Sequence, residues 1–243
     1  MPITQEQIPT GRVSPTGWIR LSTGSYADPN MLLGADGQPL TNINFYQAHL
    51  AAQKLGFRLT DDIEHNDLVN GNPEAAEQMR NYAAWTSLLR DVEKSGKEYT
   101  AKRIARPEVS RVEGSYVAKG SEKATKLPKH GYFRISHLLQ SDDGLPHETF
   151  DNPPDEPFAY WAIAEGKERP VSRGGWDLGE RGGFDAGADW ESLNSDPGVG
   201  ARVASDNEPS PIMIATAEAV GAIEEIGRRH NLKPEEVVAG LRL

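Results

Sequence analysis

Apolar positions along this chain recur with two different periods, and the change from one to the other divides it. Between Asn44 and Gly56, residues Phe45, Ala48, Leu50, Ala51 and Leu55 return every two to four positions, the spacing of one helix face. Asn44 is placed to cap the start of that helix and Gly56 to end it. The stretch FRLTDDIEHNDLVNG predicts a second short helix with Thr60 as its N-cap. A third helix is predicted from Pro73 to Lys97, because Met79, Tyr82, Trp85, Leu88, Leu89 and Val92 fall on one face and Gly96 lies near the end. Ile212, Ala215, Ala219, Val220, Ile223 and Ile226 make residues 212–229 an amphipathic helix, and Pro234 opens another short one in PEEVVAGLRL.

From about residue 100 to 210 the texture is that of strands and turns. GSYVAKG, KHGYFRIS, FAYWAIAEG, KERPVSRGG and GVGARVAS read as short strands, as does GWIRLS near the start. YADPN and GADGQPLTN are turn chemistry, and SDDGLPHETFDNPPDEP is an acidic, proline-rich loop. Residues 117–130 carry four lysines against one glutamate, which predicts a mobile basic surface loop. The expected class is α+β, with short helices on a small twisted antiparallel sheet, long loops and a helical pair appended at the C-terminal end.

Composition narrows the function classes. A net charge of −10 argues against a large phosphate-binding face, so no nucleic-acid partner is expected. The absence of cysteine excludes disulfides, thiolate metal sites and a cysteine nucleophile, without fixing the compartment. No apolar run is long enough for a membrane span, so no membrane insertion is expected, and the N-terminal residues lack the pattern of a cleaved signal peptide. Five Trp, seven Tyr and six Phe can build a core, while 24 Gly and 17 Pro favour a turn-rich fold.

Two Arg-Gly-Gly triplets stand out: Arg173-Gly174-Gly175-Trp176 and Arg181-Gly182-Gly183-Phe184. Between Ser172 and Glu191, Arg173 and Arg181 face Asp177, Glu180, Asp185, Asp189 and Glu191, a net of 2 − 5 = −3. That balance disqualifies an RGG nucleic-acid segment, which needs excess positive charge. The glycines also lead into acids where a phosphate cradle would need a helix N-terminus. They read as tight turns, with Trp176 and Phe184 plugging a core. His130, His137 and His147 lie near acids, but their spacing matches no local metal-ligand pattern. Asp142, Asp143, Asp151 and Asn152 supply the oxygen ligands calcium takes, on a loop whose spacing does not match an EF-hand. A solvated acidic loop is the commoner outcome, so no cofactor is expected, and structural calcium is the ion this loop would take if it takes one.

The order of these pieces resembles the C-type-lectin-like fold in the version used by formylglycine-generating enzyme, its sulfatase-modifying relatives, and phage or retroelement-diversified binding proteins. The resemblance rests on FYQAHLAAQKLGFRLTDD, which matches a helix ending in a Gly-x-Arg-Leu turn before a second helix. It continues with Arg173-Gly174-Gly175-Trp176, Gly182-Gly183-Phe184 and Gly200-Ala201-Arg202, with GYFRISHLLQ where a middle strand falls, and spans roughly residues 15–205. The serine before Trp176 is missing, the closing Phe is Ala201, and LTDDIEH lacks the usual Pro and Trp. Copper-cysteine oxidase chemistry is excluded for want of cysteine. Between 172 and 204 the only Asn is Asn194, so programmed diversification is not indicated.

The resemblance therefore implies a binding module and not an enzyme: a phage virion surface protein, receptor-binding or capsid-decorating, at the particle surface or outside cells. Residues 1–207 would form the lectin-like domain, and 208–243 a helical extension for assembly or docking. Its ligand face would be built from Trp176, Asp177, Glu180, Arg181, Asp185, Asp189 and Trp190, with the loop 141–156 beside it. The partners implied are other virion proteins or a second copy of the chain, and a host surface protein or glycan. The competing expectation is a metal-dependent enzyme of the same superfamily without cysteine chemistry, using His137, His147 and a nearby acid.

Overall fold

The computed structural model describes residues 11–15, 17–34, 36–79, 81–95, 98–134, 136–137, 146, 148–156, 158–163, 184–188, 193, 195 and 197–241. Within its elements, side chains at 66, 70, 79, 90–95, 159, 162–163 and 184–188 lie outside that description. The architecture is α+β, with small, mostly antiparallel sheets and few helices.

The core gathers around helix α1 (Phe45–Lys54). Asn44 caps it as expected, accepting from the Gln47 amide, while Gln47 returns a bond to the Asn44 amide. Its periodic face buries Phe45, Ala48, Ala51 and Ala52 against Trp85, Leu59 and Val203. The Trp85 indole donates to the Ile43 carbonyl at 2.8 Å, so its polar edge is satisfied inside the core. Gly56 follows α1 with φ +81 and turns the chain into β3 (Arg58–Leu59). Helix α2 (Asp62–Gly71) begins next, capped by Asp61 and not by Thr60. Asp61 reaches the Glu64 amide while Glu64 bonds back to Asp61, whereas the Thr60 amide is already committed to the Arg202 carbonyl.

The predicted third helix is corrected. Helix α3 runs only over Pro73–Met79, and the chain then becomes β4 (Ala83–Trp85) and β5 (Leu88–Ser95). Trp85, Leu88 and Leu89 are buried, as their pattern demands, but from strands. Strand pairing outweighs local period here: β4 lies parallel to β13 (Val199–Ala201), and β5 pairs along its whole length with β6 (Glu98–Ala105).

Residues 117–130 are likewise corrected from loop to ladder. β7 (Glu108–Val112) and β8 (Ser115–Lys119) pair as a hairpin, and β9 (Glu122–Leu127) returns along β6. The two ladders meet at a bend, where a Cβ on Gly120 would lie 2.6 Å from the Ile104 side chain. Only glycine allows that approach.

The other sheets close the body. β1 (Ile19–Arg20), β2 (Tyr26–Ala27), β14 (Val203–Ser205) and β3 line up in the order β1-β2-β14-β3. GVGARVAS is thus two strands, β13 and β14, separated by the wholly buried Arg202. β10 (Gly131–Arg134), β11 (Phe158–Ile163) and β12 (Phe184–Ala188) form a separate sheet, antiparallel between β10 and β11 and parallel between β11 and β12. Helix α4 (Pro211–His230) starts at Ser210 and packs Ala217 into the main core, and α5 (Pro234–Gly240) follows.

Candidate functional site

Period-two alternation splits the β10-β11 pair into two faces. On one, Phe133 and Trp161 are buried, and Trp161 lies opposite Gly131, with its indole donating to the Pro128 carbonyl at 3.2 Å. On the other, Tyr132 stands opposite Tyr160 and Arg134 opposite Phe158, all only half-buried. Tyr132 contacts Tyr160 and Phe158 edge-on, with ring centroids 5.1 and 5.6 Å apart. These contacts hold the rings upright as a platform.

The acidic loop joins this platform at the outer edge of β10. Tyr132 and Phe150 exchange backbone hydrogen bonds at 2.8 and 2.7 Å. Gly131, at φ +154, permits the approach, since a Cβ there would lie 2.8 Å from the Phe150 carbonyl oxygen. Beside it opens a cleft of about 640 Å3, lined by Arg134, Thr149, Phe150, Asp151, Asn152, Pro154, Asp155 and Glu156. That volume falls within the roughly 300–1,000 Å3 typical of small-ligand sites. The Arg134 guanidinium lies 5.1 Å over the Phe150 ring, and its Nε stands 3.6 Å from Glu156. The cleft thus offers one cation, three carboxylates, an amide and an aromatic edge.

Of the sequence-predicted ligand face, one residue lies among the described ones. Asp185 sits in β12 at the register position opposite Tyr160. The 184–188 segment therefore closes one edge of the sheet while Phe150 closes the other. Trp176, Asp177, Glu180, Arg181, Asp189 and Trp190 lie outside the described residues, as do the paired glycine turns and the Phe184 side chain. Of the calcium candidates, Asp151 and Asn152 line the cleft, and Asp142 and Asp143 lie outside the described residues. Among the described residues no three His, Asp or Glu side chains come together as a metal cluster. His130 packs edge-on against Tyr99, His137 is half-buried, and His147 lies outside the described residues. The platform aromatics were legible as alternation in GYFR and FAYW, but that alternation was read only as strand.

A second charged constellation lies in the body. Arg58 bridges Glu64 and Asp206, and Arg106 reaches Asp61, Glu64 and Asp206. Burial alone would raise the Glu64 carboxyl, but hydrogen bonds from Arg58 and Ser25 hold it below the usual range. Asp61 is pushed up by burial and by the charge of Glu64. Deeper still, Arg202 donates to the carbonyls of Pro29 and Ala75 at 3.3 and 3.2 Å. Burial lowers it to about 10 despite the nearby Asp28 carboxylate. His49 is depressed to about 3 by burial, against a backbone bond to Thr86, and burial plus the charge of Arg202 depress His65. Sequence reasoning met Arg58 and Arg202 only as motif residues of the family resemblance and did not read the set as a bonded network. They tie β3, α2, α3 and β14 together, and their bonding is internal.

The −10 chain thus carries one set of charges paired with one another in the body and another facing a cleft. Neither a protein-family model, nor a curated protein, nor a solved structure matches it.

Proposed function

We propose that this chain is a non-enzymatic binding protein with a C-type-lectin-like body, acting at a phage particle surface as a receptor-binding or decorating component. The observation that carries the reading is the Tyr132–Phe158–Tyr160 platform with the 149–156 cleft at its edge. Half-buried aromatics beside a few polar groups are the composition of recognition surfaces. Residues 149–156 and the 184–188 strand border that platform, and they lie within the stretches the family resemblance assigns to display. Residues 1–207 form the binding domain and 208–243 the assembly segment. No cofactor is assigned, and Asp151 and Asn152 are where calcium would be sought.

The test is direct binding of the purified chain to host cells and to a glycan array, with and without calcium. Binding by the native chain, lost in Tyr132→Ala/Tyr160→Ala, supports the reading. A native chain that binds neither target, yet co-assembles with particle proteins, would replace receptor binding with a purely structural role.

A further inference from the structure

Helix α4 presents two faces of opposite character. Its inner face is fixed: Ala217 enters the core, Val220 packs against it, and Glu224 pairs with Lys54. A Cβ on Gly221 would lie 3.4 Å from the Gly11 carbonyl and 3.3 Å from Arg12, so the helix backbone rests directly on that segment. The outer face carries Ile212, Ala215, Ala219, Ala222 and Ile226, all exposed, with Ile212 at 78% and Ile226 at 38%. Their spacing of three, four, three and four is the seam of a two-helix coiled coil. A single-chain surface helix needs only its inward stripe, and α4 already has one.

Charge at the two ends of the helix decides what covers this seam. The approach and first half carry exposed Glu208 and Glu218, whereas the last turn and its exit carry exposed Arg228, Arg229 and Lys233. In a parallel pair, Arg229 would meet its own copy in the seam. In an antiparallel pair, the layers set Ala219 on Ala222, Ala215 on Ile226, and Ile212 on the aliphatic stem of Arg229, while Glu208 meets Lys233. Small Ala215 then receives large Ile226, and opposite charges face each other at both ends. That self-complementarity is the requirement of a two-fold interface.

We infer that α4 pairs antiparallel with α4 of a second copy of this chain, about a two-fold axis between Ala219 and Ala222. The small residues at the axis let the two backbones approach closely, and the docked inner face keeps each helix rigid against its own body. This pairing stands independently of the ligand face on β10 and β11.

Sedimentation velocity on the full chain should show a concentration-dependent dimer that Ala219→Glu/Ala222→Glu converts to monomer, with unchanged circular dichroism. Because the chain has no cysteine, Met213→Cys and His230→Cys each accept a single spin label. At 1.5 Å per residue, the antiparallel dimer places two 213 labels about 22 Å apart along the axis and two 230 labels about 28 Å apart. A mixture of the two labelled chains brings unlike labels within about 3 Å along the axis. A native chain that stays monomeric at every concentration, or a dimer untouched by the glutamates, overturns the inference. So do short distances between identical labels at both positions, which mean a parallel pair. Should the double variant unfold, the label distances decide alone.

Discussion

Arg202 and Arg134 are both arginines beside β-strands, yet they belong to regions that use charge in opposite ways. Arg202 is wholly buried, and two backbone carbonyls accept from it. Arg134 lies at a cleft rim, over Phe150 and near Glu156, with its side chain 36% exposed. In the same body, Arg58 and Arg106 pair with Asp61, Glu64 and Asp206 and tie helices to strands. Around Arg134 the charged groups line a space. The body's polar groups bond one another, whereas those of the β10-β11 face line an open cleft.

The sharpest way to break this comparison is Arg202→Met. Removing the donor leaves buried acceptors unsatisfied, which costs about 1–3 kcal/mol. Here the carbonyls of Pro29 and Ala75 lose their donor, and Asp28 loses the nearby positive charge. Urea denaturation should show that loss, while any folded fraction still binds. A loss below about 1 kcal/mol would mean that Arg202 is not part of what holds the body together.

Acid should strike the body next. His49 and His65 have folded-state values below the ordinary 6.5, so the unfolded chain binds more protons as pH falls below that point. The His49 contribution is complete above about pH 6.5 and declines towards about pH 3, by about 1.4 kcal/mol per pH unit, and His65, also depressed by burial, acts in the same sense. Glu64, held low by Arg58, adds a further loss as pH falls below its ordinary 4.5. Asp28 and Asp61, raised by burial, act in the opposite sense: the stability they contribute is complete below 3.8 and fades as pH rises above it. Thermal melts between pH 7 and 4 on the native chain and on His49→Gln measure the slope. An unchanged slope in the variant would remove His49 from the account.

The same contrast explains what the sequence discloses. Local signals were readable where local physics decides: Asn44 caps α1 through its own side chain, and Pro234 opens α5. Residues 73–97 misled because Tyr82, Trp85, Leu88 and Leu89 satisfy a helix period and a strand core alike. The choice was made by the distant strands Val199–Ala201 and Glu98–Ala105. Lysines at 119, 123 and 126 suggested a loop because charge marks exposure, and an exposed ladder carries charge equally well. Arg202 could not be recognised as buried, since its partners are backbone carbonyls more than a hundred residues away. The proposed binding face was half legible. The acidic loop announced itself, whereas Tyr132 and Tyr160 gained meaning only once strand register set them side by side.

On the outer face, substitutions should spare the fold and affect the partner. Tyr132→Ala/Tyr160→Ala removes a half-buried cross-strand pair, with a stability cost of about 1 kcal/mol. Truncating central aromatic anchors commonly costs 2 kcal/mol or more in binding, about 30-fold in affinity. Titration calorimetry or cell binding, set beside a melting curve, separates the two. If the melt collapses while affinity per folded molecule holds, the platform belongs to the body after all.

Arg134 gives the smallest and most discriminating effect. Its ion pair with Glu156 is solvent-exposed and long, at 3.6 Å, so Arg134→Ala should change stability by no more than about 0.5 kcal/mol. The contact with Phe150 is of another kind, because a planar guanidinium stacks on a ring and an ammonium does not. An exposed cation–π contact is worth about 0.5–1 kcal/mol, or roughly two- to fivefold in affinity if it holds the cleft wall in place for a ligand. Arg134→Lys keeps the charge and loses the plane. If the lysine variant binds like the native chain, Arg134 acts as a charge alone. If it binds like Arg134→Ala, the guanidinium over Phe150 shapes the cleft, and the outer region, unlike the body, uses its arginine for recognition.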